Sequence, residues 1–262
     1  IKLDGNYPTG TNNVALGNTA LDDGSLSGGY NTAIGSQSLT SNTSGVNNVG
    51  LGFNSLASNT TGDRNVSVGT SSLDANTSGC YNVSIGDNSL GTNTTGTQNV
   101  AIGKDALLSN TTADDNTAVG YASLYANTTG QFNAAIGKLA LCSNTTASNN
   151  TALGNASLKS NTTGTANTGL GRSALSANTT ADNNTAVGAY AMQTNSTGTN
   201  NVAMGYDALS SNTTASNNTA IGNNALDANT TADDNTAFGK SALGANTTGP
   251  FNTAVGKDAL LA

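Results

Sequence analysis

Hydrophobic and polar positions alternate in a fixed order along this chain. Asparagine, then threonine, valine or alanine, then a small residue, then an apolar one, lead to a glycine. A variable pair, a small residue and a leucine follow, and a polar run built around Asn-Thr-Thr completes the pattern. The order recurs every 17 residues. With the first asparagine as position 1, the apolar position 4 is occupied by Leu16, Ile34, Leu51, Val68, Ile85, Ile102, Val119, Ile136, Leu153, Leu170, Val187, Met204, Ile221, Phe238 and Val255. Position 5 is glycine in all fifteen copies, and position 9 is leucine except at Met192. The first copy has 18 residues and every later spacing is 17. Such regularity marks a repeat array in which each unit contacts mainly its neighbours.

The pattern predicts strands. Asn-Thr-Ala-Val-Gly reads as a short extended run stopped by a glycine suited to positive φ or a tight corner. Constraint at positions 9 and 11 with freedom at 10 has period two, as in a strand with one solvated face. Each unit is therefore expected to hold two short strands and two turns. Helix is disfavoured by the Asn-Thr-Thr runs. Equivalent residues on successive rungs would stack as ladders of asparagine and leucine. The expected fold is all-β: a β-solenoid, or β-roll, of about fifteen 17-residue rungs, roughly 70 Å long at about 4.8 Å per rung.

Positions 4 and 9 are the expected core. Position 3 points the other way along the first strand and is only Ala, Ser or Gly. That restriction implies close packing against another chain, and with so thin a core it predicts a homo-oligomeric fibre, a trimer. Positions 6, 7, 10, 16 and 17 vary and hold most of the charge.

Residues 1–12 do not fit the unit and read as a leading segment or a degenerate repeat; residues 13–262 are the array. The array stops within a unit at Ala262, so the expectation is a piece of a longer chain with caps and address signals elsewhere. Only 9% of residues are charged, a polarity that suggests disorder until the fixed apolar columns are counted. The net charge of −7 offers no basic stripe for phosphates, which argues against nucleic acid and against anionic membrane surfaces. No apolar run approaches the roughly 18 residues of a membrane helix, so no membrane insertion is expected. Cys80 and Cys142 lie 62 residues apart at different unit positions, beyond the reach of a mutual disulfide.

Candidate chemistry is sparse. With no histidine, serine or cysteine triads and histidine metal sites are excluded. Gly239-Lys240-Ser241 and Gly169-Leu170-Gly171 look like fragments of nucleotide-binding loops but are the repeat in register. Asp114-Asp115 and Asp233-Asp234 could offer oxygens to Ca²⁺, yet they sit at variable positions and read as solvated turns. No enzyme activity, cofactor or metal is expected. The N-x-[S/T] sequons beginning at Asn42, Asn59, Asn76, Asn93, Asn110, Asn127, Asn144, Asn161, Asn178, Asn195, Asn212, Asn229 and Asn246 are candidate glycan acceptors; the competing reading is a turn held by asparagine and threonine ladders. Threonine columns at positions 13 and 14 add a minor candidate, an ice-binding face.

Runs such as Asn99-Val-Ala-Ile-Gly103 and Asn116-Thr-Ala-Val-Gly120, with the following small residue and leucine, resemble the head repeats of trimeric autotransporter adhesins. The longer NTAVG…NTTG form is similar to arrays in phage tail fibres and in bacterial fibre proteins that end in a self-cleaving chaperone domain. Adhesin heads use a shorter unit without the Asn-Thr-Thr insert. The resemblance covers Asn13 to Ala262 and implies intertwined, left-handed trimeric β-rolls. The functional expectation is an extracellular structural fibre or filament shaft on a cell or virion surface. The alternative is a binding module whose Tyr121, Tyr125, Phe132, Tyr206 and Phe251 contact host-surface glycans.

Overall fold

A computed structural model of the chain describes residues 11–261; the greater part of the expected leading segment lies outside the described residues. The protein is an all-β, parallel β-solenoid with 17-residue rungs and, among the described residues, no helix. Fifteen three-residue strands run from Val14–Leu16 to Thr253–Val255, always at positions 2–4 of a unit. They are described as two stacks. The first holds the strands from Val14–Leu16 to Thr117–Val119, and the second those from Ala134–Ile136 to Thr253–Val255. Within each stack neighbouring strands pair in parallel and in register, as in Thr168↔Thr185, Gly169↔Ala186 and Leu170↔Val187. The 18-residue first unit keeps that register, with Ala15 opposite Ala33.

Each rung contains one strand, not the expected two. Positions 6–11 form a turn-rich segment, and the period-two reading of positions 9 and 11 fails for a backbone reason. Residues at positions 7, 9 and 17 are all left-handed: Ser173 has φ 55°, Leu175 52° and Asn183 59°. Non-glycine residues rarely adopt this conformation, which costs on the order of 1 kcal/mol each. The tilted peptide planes still bond along the stack. Ser173 N–H donates to Asn155 O at 2.9 Å on the rung before, and Leu175 N–H to Ala191 O at 3.0 Å on the rung after. Thr179 N–H donates to Ser196 O at 3.1 Å and Asn183 N–H to Thr165 O at 3.1 Å. Main-chain donors thus find partners without a second strand, as buried amides must.

Position 5 turns the corner. Gly171 has φ +136°, and a Cβ there would lie 2.5 Å from the carbonyl oxygen of Gly188 on the next rung. Only glycine supplies both the conformation and the clearance.

The strand is inverted relative to expectation. Position 3 faces inward: Ala118, Ala135, Ala186 and Ala220 are fully buried. Position 4 faces outward: Leu51 is 43% exposed, Ile136 40% and Met204 43%. The interior is completed by position 8, by the position-9 leucines and by two asparagine columns. The rung is narrow across this direction. A Cβ added at Gly169 would sit 2.4 Å from Ser157 Oγ and 3.3 Å from Leu158 Cγ, so the interior has no room for a side chain larger than the alanine and serine found at position 3 elsewhere.

Candidate functional site: the strand face and its borders

The sequon asparagines lie inside the rungs. From Asn42 to Asn229 the twelve position-12 side chains are fully buried, while Asn246 is half-buried. Their amide groups are occupied twice. Asn178 Nδ2 donates to Asn161 Oδ1 at 2.8 Å on the preceding rung and to Ala181 O at 3.0 Å in its own turn. A sugar on that nitrogen would displace both bonds. The position-1 asparagines form a second buried column. Asn184 N–H donates to Asn167 Oδ1 at 2.9 Å, and Asn167 Nδ2 donates to Ala181 O at 2.7 Å. The two columns therefore meet at one carbonyl, the position-15 oxygen, which uses both of its lone pairs.

The threonine columns divide. Position 13 donates its hydroxyl to the position-13 carbonyl of the next rung, as from Thr162 to Thr179 O at 3.0 Å. Position 14 alone is exposed, as at Thr163 and Thr180. Position 16, which the sequence pattern suggests is free, has a structural use instead. Asp63, Asp114, Asp182 and Asp233 each accept the position-16 N–H of the rung before at 2.6–2.8 Å, and Ser216 Oγ does the same for Thr199 N–H at 3.0 Å. The recurrence of Asp, Ser and Cys in this column, among Thr, Gln, Val and Pro, is the only trace of that acceptor role in the sequence.

What remains accessible is the outward strand face. Its columns are positions 2 and 4, threonine or valine beside valine, isoleucine or leucine. Position 17 borders it before the strand and position 6 after the corner. Exposed aromatics gather at these borders: Tyr30, Tyr81, Phe132 and Phe251 at position 17, and Phe53, Tyr121 and Tyr206 at position 6. Aromatic and aliphatic side chains in this setting mark interaction surfaces. Tyr125 lies apart, at position 10.

Charge is divided between the borders. Position 6 carries Lys104, Lys138, Arg172, Lys240 and Lys257, five of the chain's eight basic residues, with Asp87 its one acid, and position 7 beside it adds Asp105, Asp207 and Asp258. Positions 16 and 17 carry Asp63, Asp114, Asp115, Asp182, Asp233 and Asp234, with Arg64 the one base. Lys104 Nζ lies 2.8 Å from Asp87 Oδ2 and 3.5 Å from Asp105 Oδ2, and its pKa is raised, chiefly by the hydrogen bond to Asp87. Lys257 lies 3.2 Å from Asp258. Arg64 donates to the Tyr81 hydroxyl at 2.8 Å while its guanidinium sits 5.3 Å from that ring's centre. Arg172 stands 5.3 Å from the Tyr190 ring, which meets Tyr206 edge-on with centroids 5.8 Å apart. The Asp207 charge pushes the Tyr206 hydroxyl up.

Among the described residues no group of three or more acidic, cysteine or histidine side chains could hold a metal, and no helix is long and apolar enough to cross a membrane. No protein-family model matches this sequence, and no curated protein matches it.

Proposed function

We propose that this chain is a structural rod, a shaft segment of an extracellular fibre or filament carried on a cell or virion surface. It works as a homo-oligomer of three copies and has neither catalysis nor cofactor. The observation that carries the reading is the use of side-chain chemistry: the asparagine amides, the position-13 hydroxyls and the position-16 acceptors are all spent tying one rung to the next. Such side-chain ladders stiffen a stack by giving each rung the same bonds as the last. The outward apolar column supports association, since a lone rod would gain nothing from isoleucine and leucine in water. Negative-stain microscopy with light scattering tests this. Rods with a mass three times 25.7 kDa are expected, and a dispersed monomer refutes the oligomer.

A second reading is favoured by the exposed aromatics. Tyr121, Tyr125, Phe132, Tyr206 and Phe251 are rigid amphipathic side chains of the type that stack on sugars. In that case the chain is an adhesin or tail-fibre module for host-surface glycans. A glycan array separates the two: retention that is lost on Tyr206→Ala supports binding, and an array without signal leaves the shaft.

A further inference from the structure

Sequons also occur outside position 12: Asn65, Asn82, Asn149, Asn155, Asn183 and Asn217 each begin an N-x-[S/T] run. A transferase reads two groups of a sequon together, the asparagine amide and the hydroxyl two residues on. The fold sorts the sequons by that requirement. At position 12 the amide is buried while the hydroxyl, at position 14, is exposed, as at Asn178 and Thr180. Asn246 is only half-buried, yet it still gives its amide to Gly249 O at 2.9 Å. Asn65 with Ser67 and Asn82 with Ser84 are buried at both ends. Asn155 is exposed, but Ser157 is buried and donates its hydroxyl to Gly169 O at 2.8 Å. Three sequons remain. Asn149, Asn183 and Asn217 are exposed at position 17, the next residue is buried, and Thr151, Thr185 and Thr219 return to the outward face at position 2. Among the described residues, neither these amides nor these hydroxyls bond another group of the chain.

We propose that Asn149, Asn183 and Asn217 are N-glycosylation sites, modified after the chain has folded. The order of events follows from the ladder. An enzyme acting on the unfolded chain meets the position-12 sequons on equal terms, and a sugar on Asn178 Nδ2 would displace its bonds to Asn161 Oδ1 and Ala181 O. Only the folded solenoid singles out the three. The donor class that reaches a folded rod in solution is a nucleoside-diphosphate hexose. Asparagine Nδ2 attacks its anomeric carbon; the N–C1 bond forms as the C1–O bond to the diphosphate breaks. The nucleoside diphosphate leaves, and one amide proton passes to solvent. The sites lie on every second rung of the second stack, with Ala166 and Asn200 at position 17 of the rungs between. At about 4.8 Å per rung that separates them by roughly 10 Å, so neighbouring hexoses do not compete for space. The sugars would form a polar row along the position-17 border, whose ends in this stack are the aromatic Phe132 and Phe251.

The test incubates the folded whole chain with UDP-glucose and a soluble asparagine glucosyltransferase that reads N-x-[S/T], then maps hexose by peptide mass spectrometry. Hexose on Asn149, Asn183 and Asn217, with Asn155 and the position-12 asparagines unmodified, is the expected result. Synthetic peptides of residues 143–153 and 177–187 should accept hexose at Asn144 and Asn178 as well, because without the fold those amides are free. Val202→Thr should add a fourth site at Asn200, an exposed position-17 asparagine now followed two residues on by valine. Thr185→Val, which copies Val202 one rung away, should remove the hexose of Asn183 alone; both variants should leave the circular dichroism unchanged. Modification of the peptides but not of the folded chain overturns the proposal. So does hexose on Asn155 or on a position-12 asparagine of the folded chain as fast as on Asn183.

Discussion

Replacing Asn178 with alanine probes the ladder that defines this fold. The side chain is fully buried and makes three hydrogen bonds: to Asn161 Oδ1 at 2.8 Å, to Ala181 O at 3.0 Å, and from Asn195 Nδ2 at 3.2 Å. The losses are unequal. Ala181 O keeps its bond from Asn167, and Asn195 Nδ2 keeps Gly198 O at 2.9 Å. Asn161 Oδ1 and one proton of Asn195 lose their partners inside the rung. Each buried group left unsatisfied costs about 1–3 kcal/mol, giving about 2–6 kcal/mol in all. One water filling the polar void brings the cost toward the lower end. An array of this kind opens locally, so a single global unfolding energy is the wrong measure. Hydrogen exchange by mass spectrometry, at one fixed protein concentration, is the right assay. A local loss of about 3 kcal/mol accelerates exchange about a hundredfold in the rungs flanking residue 178. Thr180→Ala, at the exposed position 14, is the control and should change exchange by less than about threefold. If Asn178→Ala behaves like Thr180→Ala, the ladder is decoration and the argument for the rod's stiffness fails.

Four other outcomes follow from the same geometry. Leu175→Gly should be no less stable than Leu175→Ala, reversing the usual order. The residue sits at φ 52°, so glycine relieves about 1 kcal/mol of strain that alanine retains; chemical denaturation of the pair decides, and a clearly weaker glycine variant refutes it. Burial pushes the Asp74 carboxyl up despite the N–H groups of Asp74 and Ala75. Its folded-state pKa is therefore above the unfolded one, and stability is lost as pH rises through the folded value. Asp74→Asn, which keeps an acceptor for Asn54 Nδ2, should be more stable than the parent at pH 7 and equal to it below about pH 3.8; equal melting at pH 7 would contradict this. Deleting residues 150–166, one whole unit, should leave a cooperative fold, because Asn167 meets Asn133 as Asn150 does now; circular dichroism of a collapsed chain would say otherwise. Folded protein from a glycosylating host should carry no sugar on the position-12 asparagines from Asn42 to Asn229, whatever the exposed sequons at Asn149, Asn155, Asn183 and Asn217 acquire; a glycopeptide mapped to a position-12 asparagine would refute the buried-amide assignment.

Much of the rung is legible in the sequence because its constraints recur fifteen times. The strand at positions 2–4, the glycine corner and the stacked asparagines all follow from columns that hardly vary. The direction of the strand does not. Alternation says that positions 3 and 4 point opposite ways and leaves open which points in. The larger side chain is the natural choice for the interior, and here it is the wrong one. Gly50 shows why: a Cβ there would stand 2.5 Å from Ser38 Oγ and 3.5 Å from Leu39 Cδ1, so the lumen between strand and turn has no room for a large side chain. Leu39 and its equivalents already fill it. That positions 9–11 form no second strand was illegible for another reason. Leucine in a left-handed conformation has no local sequence signature; about 2–3 kcal/mol from burying the side chain outweighs the backbone cost, and only the folded rung reveals it.

The inversion also changes what the variable positions mean. The interior columns are nearly identical on every rung, so they determine shape and give no rung an identity of its own. Most of what distinguishes one rung from another lies at positions 4, 6, 7, 10, 16 and 17. Stability and recognition are thereby separated in the chain. The asparagine, leucine and small-residue columns can stay fixed while Tyr121, Arg172, Asp234 and their neighbours change, because none of these enters the interior. Position 16 is the one exception. Its aspartates contribute to the acidic border and also accept a main-chain N–H, so charge on that border is coupled to rung geometry in a way that position 6 is not. Lysine at position 6 holds no main-chain group, whereas aspartate at position 16 accepts a main-chain N–H, a role that Ser216 and Cys80 also fill.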